Sequence, residues 1–181
     1  KGEARIGSHC LVGHFSVLGG LPQHNSFDPS IRSYAKIGER VRIGEGVTVH
    51  RSIYSEGWTE VGDASFLMGY SHVAHDCKVA KSVVLANGVL LGGHVMVENN
   101  AFIGGGAAIH QFIRIGEGAM VGGLSEISRD VSPQITVSGR NLACGLNLIG
   151  LKRRNVSAEE ISELKKLYRM FLAKPGNLKK R

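Results

Sequence analysis

The stretch from Val61 to Ile127, VGDASFLMGYSHVAHDCKVAKSVVLANGVLLGGHVMVENNAFIGGGAAIHQFIRIGEGAMVGGLSEI, has an aliphatic residue at every sixth position. The twelve sites are Val61, Leu67, Val73, Val79, Leu85, Leu91, Val97, Ile103, Ile109, Ile115, Val121 and Ile127. Glycine or alanine follows most of them. A period of six fits neither the 3.6-residue turn of an α-helix nor a hairpin meander, and it is typical of a short strand that ends in a tight corner. Three such units close a triangular coil, so we predict an all-β fold, a left-handed parallel β-helix of hexapeptide repeats.

The repeat extends well upstream of this stretch. Its phase continues backwards from Val61 to Ile37 with one break at Ser55, whereas an earlier run that starts at Ile6 is out of phase by one residue. Coils of three hexapeptides between Ile6 and Ile127 predict about seven stacked coils.

These patterns divide the chain into three predicted parts. The β-helix takes residues 1–135, and its two breaks predict loops at residues 19–36 and 51–60, because insertions in a solenoid project from its corners. Residues 136–154, where the repeat fades, form a connecting segment. Residues 155–181 form a C-terminal helix and a basic tail.

The C-terminal helix is predicted from its boundaries and its apolar spacing. Ser157 and Glu160 have the spacing of a capping box, and Pro175-Gly176 is a helix end signal. The apolar residues at helical spacing are Ile161, Leu164, Leu167, Tyr168, Phe171 and Leu172. We expect this short α-helical cap to cover the open end of the β-helix, where strand edges are otherwise unpaired.

The charge is concentrated at the C-terminus. Residues 1–151 hold 12 basic and 12 acidic residues, so the net charge of +7 comes entirely from residues 152–181. Two interpretations explain such a tail: a solvated cap helix, or a docking surface for an acidic carrier protein. Binding of nucleic acid is not predicted, because aromatic residues are not interleaved with the basic ones. No apolar run is long enough for an integral membrane segment.

Several common chemistries have no motif in this chain. Cys10, Cys77 and Cys144 are widely separated and form neither a zinc motif nor a disulfide framework, so we expect reduced thiols in a cytoplasmic protein. The sequence contains no GxSxG, no Walker motif and no GxGxxG before a helix, which argues against hydrolases, NTPases and dinucleotide enzymes.

Histidine is the residue type that points to chemistry, with eight in the chain. His94 follows His75 by 19 positions, about one coil, so we expect the two to be neighbours one strand spacing apart. His110 lies close to one further coil along, and His72 is on the same turn as His75. Neither a carboxylate pair nor a cysteine completes this group, so we predict no metal site.

The dipeptide His75-Asp76 is the strongest single candidate for catalysis. A histidine is the usual general base near neutral pH, and a carboxylate beside it raises its basicity. Neighbours on a strand point to opposite faces, which leaves open whether Asp76 contacts His75 at all. Spacing alone therefore supports a catalytic pair and a solvated polar corner about equally.

Four motifs carry a resemblance to a known family. They are Ser71-His-Val-Ala-His-Asp-Cys77, Gly92-Gly-His94, Ile109-His-Gln-Phe112 and Gly150-Leu-Lys-Arg-Arg154. In this order and at these distances they resemble the acyl-[acyl-carrier-protein]–UDP-N-acetylglucosamine O-acyltransferases of lipid A biosynthesis. The resemblance runs over residues 2–166, most closely over residues 61–154, and we expect family members to be longer at both ends.

This resemblance implies a function and an assembly. Family members transfer a 3-hydroxyacyl chain from acyl carrier protein to the 3-hydroxyl of UDP-N-acetylglucosamine, the first step of lipid A biosynthesis. The implied protein is a cytoplasmic homotrimer with active sites between neighbouring subunits. It needs no cofactor and no metal, because a thioester requires only a base, an oxyanion donor and positioning.

The resemblance also implies roles for individual residues. His75 matches the general base, Asp76 its orienting carboxylate, the Gly93 N–H the oxyanion donor, and His94 lines the same cleft. Gly123 matches the position that gauges acyl length. The implied substrate contacts are Gln23, His50, His72, His110, Gln111, Asn147, Arg153 and Arg154. The last three of these belong to the nucleotide, and a planar guanidinium pairs well with phosphate oxygens.

Two departures from the family pattern concern the acceptor. The family's Gln-Asp-x-Lys segment reads Gln23-His24-Asn25-Ser26, and Ile149 replaces a glutamate near the uridine. The base and the oxyanion donor are retained while residues that read the sugar differ. Two alternatives therefore stay open: an acyltransferase for a different or amino-modified nucleotide sugar, and a non-catalytic hexapeptide-repeat binding scaffold.

Overall fold

From Ile37 to Ile127 the aliphatic residue of each hexapeptide strand is buried, whereas Ile6 and Val12 of the first coil are exposed. In the strand Phe66–Leu67, Phe66 is half-buried and Leu67 is fully buried, and the same alternation recurs along the repeat. The computed structural model describes residues 3–171, whose strands form three mainly parallel sheets around one continuous apolar core. The predicted left-handed parallel β-helix is confirmed.

The strands and helices alternate with tight corners along the whole chain. The strands are β1 (Glu3–Ile6), β2 (Leu11–Val12), β3 (Val17–Gly20), β4 (Tyr34–Ile37), β5 (Arg42–Ile43), β6 (Thr48–His50), β7 (Trp58–Val61), β8 (Phe66–Leu67), β9 (His72–Val73), β10 (Lys78–Val79), β11 (Val84–Leu85), β12 (Leu90–Leu91), β13 (Met96–Val97), β14 (Phe102–Ile103), β15 (Ala108–Ile109), β16 (Arg114–Ile115), β17 (Met120–Val121), β18 (Glu126–Ile127), β19 (Ile135–Ser138) and β20 (Leu142–Leu146). The helices are α1 (Leu148–Arg153) and α2 (Ala158–Phe171).

Every third strand belongs to the same sheet, as a three-sided coil requires. The first sheet has the order β1-β4-β7-β10-β13-β16 and the third consists of β3, β6, β9, β12, β15 and β18. The second sheet has the order β2-β5-β8-β11-β14-β17-β19-β20.

Two insertions explain how the repeat loses and recovers its phase. Val61 pairs with Val79, 18 positions later, as in an undisturbed coil. Ile6 pairs with Ile37, 31 positions later, so the first coil contains 13 additional residues, or two hexapeptides plus one, which shifts the phase by one. Ile37 pairs with Val61, 24 positions later, so the second coil contains six additional residues and keeps the phase.

The same insertions correct the predicted number of coils. Within residues 3–171, β1–β18 make six complete coils and not about seven, because the inserted residues amount to one coil and add no strand. The loops themselves occupy residues 21–33 and 51–57, inside the predicted ranges. Both loops leave the corner between the third and first sheets.

Stacked aliphatic side chains form the core. Burial of one leucine or isoleucine side chain contributes roughly 1.5–3 kcal/mol, so the repeat is itself the main source of stability. The largest fully buried side chains include Ile37, Leu67, Leu85, Leu91, Ile103, Ile115 and Ile127.

The C-terminal part closes the second sheet. β19 and β20 form an antiparallel hairpin at its edge, and α2 contacts β20. The predicted capping box is present, because Ser157 Oγ accepts the Glu160 N–H at 3.1 Å and Glu160 Oε2 accepts the Ser157 N–H at 3.1 Å. Of the predicted apolar face, Ile161 is buried and Tyr168 packs against the core, whereas Leu167 is exposed.

Part of the predicted C-terminus lies outside the described residues. This applies to Leu172, to Pro175-Gly176, to the basic residues from Lys174 onward and to the Phe171 side chain. Of the helices in residues 3–171, none combines the length and the apolar character needed to cross a membrane.

Candidate active site

The corner between the third and first sheets is built from residues in the left-handed conformation, one coil apart. Asp76, His94 and Phe112 follow one another at 18-residue spacing with φ angles of 60°, 62° and 65°. Few side chains adopt this conformation readily, and aspartate and histidine are among those enriched in it. Because coils stack, the three residues form a column beside His75. The ring centroids of His75 and His94 are 5.1 Å apart, which confirms that the two are neighbours.

His75 and Asp76 are in direct contact. His75 Nδ1 lies 2.9 Å from Asp76 Oδ2, and both side chains are about nine-tenths buried. Strand alternation would place the two side chains on opposite faces, but Asp76 is at the corner with a positive φ, where that alternation does not apply. The contact that the sequence left open is therefore present.

The Asp76 carboxylate is held by three donors. Ser52 Oγ donates to Oδ1, the Ile53 N–H donates to Oδ2 at 3.2 Å, and His75 Nδ1 contacts Oδ2. An ionised carboxylate only accepts hydrogen bonds, so the proton of a neutral His75 ring is on Nδ1. Its Nε2 is then the free basic nitrogen. The Asp76 N–H donates to Thr59 Oγ1 at 2.7 Å and completes the anchoring.

Gly93 lies one coil beyond His75 and touches its ring. A β-carbon at Gly93 would be 2.6 Å from His75 Cε1 and 2.8 Å from Nε2, so only glycine leaves room for the imidazole. The Gly93 carbonyl accepts the Phe112 N–H at 3.0 Å. The Cα of Gly93 therefore faces the Cε1–Nε2 edge of the His75 imidazole.

Further aromatic rings surround His75. The His24 ring, from the loop at residues 21–33, is edge-on to His75 with centroids 5.8 Å apart. The Phe112 ring stacks on His94 at 4.5 Å with an interplanar angle of 4°. Burial lowers the pKa of His94; the Asp76 carboxylate raises it, while the neighbouring His75 and His24 lower it further. His94 is therefore neutral near pH 7.

His50 and His72 form a second pair on the third sheet. Their ring centroids are 4.8 Å apart, and His72 Nδ1 lies 2.7 Å from Thr48 Oγ1. Burial lowers the pKa of His50 to about 4, with smaller contributions from His72 and His75, and burial also lowers the pKa of His72. His50 Nδ1 is buried and has no hydrogen-bond partner among the described residues.

Three predicted substrate contacts are exposed around the same corner. His110 and Gln111 belong to the coil after Gly93, and His110 Nδ1 lies 3.2 Å from the Gln111 carbonyl. Gln23 is exposed in the loop that also carries His24. Within the described part of the chain, no hydrogen bond joins these three residues to the His75–Asp76 pair.

Gly123 is at a different corner of the same chain. It follows β17, between the second and third sheets, whereas His75 follows β9, between the third and first sheets. A β-carbon at Gly123 would be 3.2 Å from the Gly105 carbonyl oxygen. Within one chain the base and the predicted acyl-length residue are therefore separated by the third sheet.

A third location, around α1 and beside the second sheet, contains Asn147, Arg153 and Arg154. Asn147 caps α1: its Oδ1 accepts the Gly150 N–H at 2.9 Å and its Nδ2 donates to the Gly118 carbonyl at 3.0 Å. Arg154 donates to Gln134 Oε1 and is half-buried, whereas Arg153 is exposed.

A pocket of about 290 Å³ lies between α1 and the second sheet. Arg153 and Arg154 contribute positive charge to its lining, while Phe102, Met120 and Ile149 contribute apolar surface. The arrangement suits a ligand that combines a flat or apolar part with an anionic group.

One group of side chains has the donors for a metal ion. Single ligand atoms of His75, Asp76 and His94 lie within 4.8 Å of one another. Two imidazoles and a carboxylate are suitable ligands for zinc, although Asp76 is already engaged by Ser52 and Ile53. The predicted absence of a metal stays a prediction.

Sequence reasoning missed the residues that hold Asp76. Ser52, Ile53 and Thr59 were assigned only to a loop at residues 51–60. The signal was available in the repeat: Ser52 precedes Asp76 by 24 positions, which is one coil plus the six inserted residues. Counting these six residues as an insertion would have placed Ser52 one coil before Asp76, at the same corner.

Comparison with known proteins gives consistent matches. A family model described as UDP N-acetylglucosamine O-acyltransferase, domain 2, matches residues 130–181. An acyl-[acyl-carrier-protein]–UDP-N-acetylglucosamine O-acyltransferase of Thermodesulfovibrio yellowstonii is 46% identical over 181 residues, 99% of this chain and 70% of that protein. One of the same name from Gloeothece citriformis is 41% identical over 170 residues, 93% of this chain. This chain spans 60% of the length of that relative.

The fold is also similar to solved structures. The crystal structure of a UDP-N-acetylglucosamine acyltransferase from Bacteroides fragilis matches with a TM-score of 0.91 at 33% identity. The match covers 96% of this chain and 68% of the other. The similarity in sequence and in fold thus extends over nearly the whole of this chain.

Proposed function

The chain belongs to the acyl-[acyl-carrier-protein]–UDP-N-acetylglucosamine O-acyltransferase family, and from this we propose that it acylates UDP-N-acetylglucosamine. The proposed reaction transfers a 3-hydroxyacyl chain from acyl carrier protein to the sugar 3-hydroxyl, the first step of lipid A biosynthesis. The observation that carries the proposal is the His75–Asp76 pair with Gly93 against the basic edge of the imidazole.

His75 is the proposed general base. Asp76 keeps the proton of the neutral imidazole on Nδ1, so Nε2 accepts the proton of the sugar hydroxyl. The resulting alkoxide attacks the thioester carbonyl carbon and a C–O bond forms. The imidazolium produced in this step is stabilised by the adjacent carboxylate.

The Gly93 N–H is the proposed oxyanion donor. The tetrahedral intermediate carries negative charge on the former carbonyl oxygen, and a preorganised backbone N–H stabilises it. The C–S bond then breaks, and the carrier thiolate takes up the proton that His75 holds. Every atom and proton is accounted for by these residues and the two substrates, so the mechanism includes no cofactor and no metal.

We propose that two chains share each site, in a homotrimer. His75 lies at the corner opposite the second sheet, and Arg153 and Arg154 lie beside that second sheet. The proposed three-fold arrangement is one in which the corner that carries His75 in one copy faces the second sheet of its neighbour. The nucleotide would then contact Asn147, Arg153 and Arg154 of one copy while its sugar lies at His75 of the next, with Gly123 limiting the acyl chain.

The proposed partners follow from the substrates. Acyl carrier protein is the acyl donor, and the exposed Lys165, Lys166 and Arg169 of α2 suit an acidic docking partner. The proposed donor is a carrier protein and the proposed acceptor a UDP-sugar, both found inside the cell, so we propose that the reaction takes place in the cytoplasm.

A second candidate acceptor is a different or amino-modified nucleotide sugar. The observation that favours it is the position of His24, whose ring is 5.8 Å from that of His75, in a loop that departs from the family pattern. A neutral sugar amine in the same place is a better nucleophile than a neutral hydroxyl, and His75 would take up the proton that the nitrogen loses after it attacks the thioester carbon. Competition between the two acceptors for one acyl donor measures the preference.

The test of the proposed function is release of free carrier thiol from 3-hydroxyacyl carrier protein. We expect release that depends on UDP-N-acetylglucosamine and that His75→Ala lowers by about three orders of magnitude, as removal of a general base does. His14→Ala is the matched control, because His14 is exposed on the first coil and away from this corner. Sugar binding without thiol release in the parent protein would support the binding scaffold instead.

A further inference from the structure

Ser52 is a buried hydroxyl with two hydrogen bonds at the site. It has no exposed surface, its Oγ donates to Asp76 Oδ1, and the same Oγ accepts the Tyr54 N–H at 2.9 Å. The Ser52 carbonyl accepts a hydrogen bond from Ser33 Oγ at 2.5 Å, which ties it to the neighbouring loop. A serine hydroxyl has one proton, and here that proton is directed at the carboxylate.

The surrounding loop leaves space for this hydroxyl and for little else. A β-carbon at Gly57 would be 2.2 Å from Ser52 Oγ and 3.0 Å from Ser52 Cβ. The loop formed by the six inserted residues therefore passes close to Ser52 at Gly57, which has no side chain. Any side chain at this position would collide with the Ser52 hydroxyl that donates to Asp76.

The two oxygens of Asp76 are held by different groups. Oδ2 contacts His75 Nδ1 and the Ile53 N–H, while Oδ1 receives the hydrogen bond from Ser52. Without that bond, only the two contacts at Oδ2 hold the carboxylate against rotation about its Cβ–Cγ bond. The orientation of the His75 ring depends on this carboxylate, so Ser52 acts on the imidazole through Asp76.

We propose that Ser52 is a positioning residue of this enzyme, which fixes the Asp76 carboxylate so that the His75 proton stays on Nδ1. The inference rests on the proposed acyl transfer for its kinetic consequence. Its structural consequence, the tautomer of His75, does not depend on which reaction the site performs.

The kinetic test compares two buried serines. Ser52→Ala is expected to lower kcat about tenfold with KM for both substrates unchanged, since one charge-assisted hydrogen bond is lost away from the substrate. Ser65→Ala is the matched control. Ser65 is equally buried, donates to the Ala80 carbonyl at 3.0 Å and accepts the Val83 N–H at 3.2 Å, at the corner between the first and second sheets. The Ser65→Ala variant is expected to be less stable than the parent protein and to have the same kcat.

A double-mutant cycle separates positioning from general damage. In an Asp76→Asn background, the additional change Ser52→Ala is expected to lower kcat by less than twofold, because the group on which Ser52 acts is already altered. A full tenfold loss in that background would overturn the proposal, as would an unchanged kcat in Ser52→Ala alone.

A spectroscopic measurement keeps the inference separate from the reaction. In protein labelled with ¹⁵N-histidine, the ring nitrogens of His75 report its tautomer. We expect the Nδ1–H form to dominate in the parent protein and in Ser65→Ala, and to lose population in Ser52→Ala. If the parent protein shows no acyl transfer but this change occurs, the proposed function fails and the positioning role stands. An unchanged His75 tautomer in Ser52→Ala overturns the positioning role in either case.

Discussion

Gly93 supports the His75 ring from one coil away, at a distance that admits no side chain. A β-carbon there would lie 2.6 Å from His75 Cε1, closer than real β-carbons approach other atoms. Gly93→Ala is therefore expected to displace the imidazole, and misplacement of a catalytic group by about 1 Å costs roughly 100-fold in rate. We expect a loss of that size in kcat for carrier thiol release.

The control for this substitution is Gly105→Ala. Gly105 is at the corner between the second and third sheets, where a β-carbon would meet the Asn87 carbonyl oxygen at 3.2 Å. It is expected to lower stability slightly and to leave kcat within about twofold, since surface backbone changes of this kind are usually worth less than 1 kcal/mol. Equal losses from both substitutions would mean that Gly93 acts through the fold and not through His75.

The fold was largely predictable because one physical signal determines it. An aliphatic residue at every sixth position has to be buried, and the structure buries Leu67, Leu85 and Ile103 completely. The number of coils was not predictable from the length of the repeat, because an inserted hexapeptide has the same period as a coil segment. Only the pairing of Ile37 with Val61 shows that six residues between them belong to a loop.

The site was predictable to the extent that it follows the coil spacing. His75 and His94 are neighbours because 19 residues make one coil plus one residue, and the contact is present. The contact between His75 and Asp76 depends on a left-handed φ at Asp76, which the alternation of a strand does not reveal. The anchoring by Ser52 depends on an insertion whose path is set by tertiary packing.

His50 makes stability depend on pH. Burial lowers its pKa to about 4 in the folded protein, while an unfolded chain has the ordinary value of about 6.5. Between these values the unfolded chain binds more protons, so the stabilising contribution is fully present above pH 6.5 and is lost as pH falls toward 4. We expect the free energy of unfolding, measured with urea, to fall by on the order of 2 kcal/mol over this range because of His50.

Two variants isolate this contribution. His50→Gln has no group that titrates in this range, so its unfolding free energy should vary less with pH than that of the parent protein. His14→Gln replaces an exposed histidine and should keep the parent slope. The interpretation fails if His50→Gln and the parent protein lose the same free energy between pH 7 and pH 4.

Removal of metal ions should leave acyl transfer unchanged. In the proposed mechanism the charge is handled by His75, Asp76 and the Gly93 N–H, so dialysis against excess EDTA is not expected to alter kcat. Added Zn²⁺ is expected to inhibit, because ligand atoms of His75, Asp76 and His94 lie within 4.8 Å of one another and the metal would occupy the basic nitrogen. His94→Ala should weaken this inhibition at least tenfold, as loss of one zinc ligand does.

The distance between the base and the predicted nucleotide residues leads to a test of the shared site. Within one chain, His75 lies at the corner opposite the second sheet, and Arg153 borders the pocket on that sheet. His75→Ala and Arg153→Ala should each be inactive alone, the second through loss of nucleotide affinity. If each site takes His75 from one copy and Arg153 from its neighbour, a mixed oligomer contains some sites in which both residues are intact.

Equal amounts of the two variants, unfolded together and refolded, should therefore regain activity. In a random three-fold assembly, a site is intact when its base comes from the Arg153→Ala chain and its arginine from the His75→Ala chain, which gives roughly a quarter of the parent activity. Mixing the folded variants without unfolding is the control and should give no gain if subunits do not exchange. Absence of recovery after co-refolding would place both residues in a site formed by one chain, because no combination of such chains restores an intact pair.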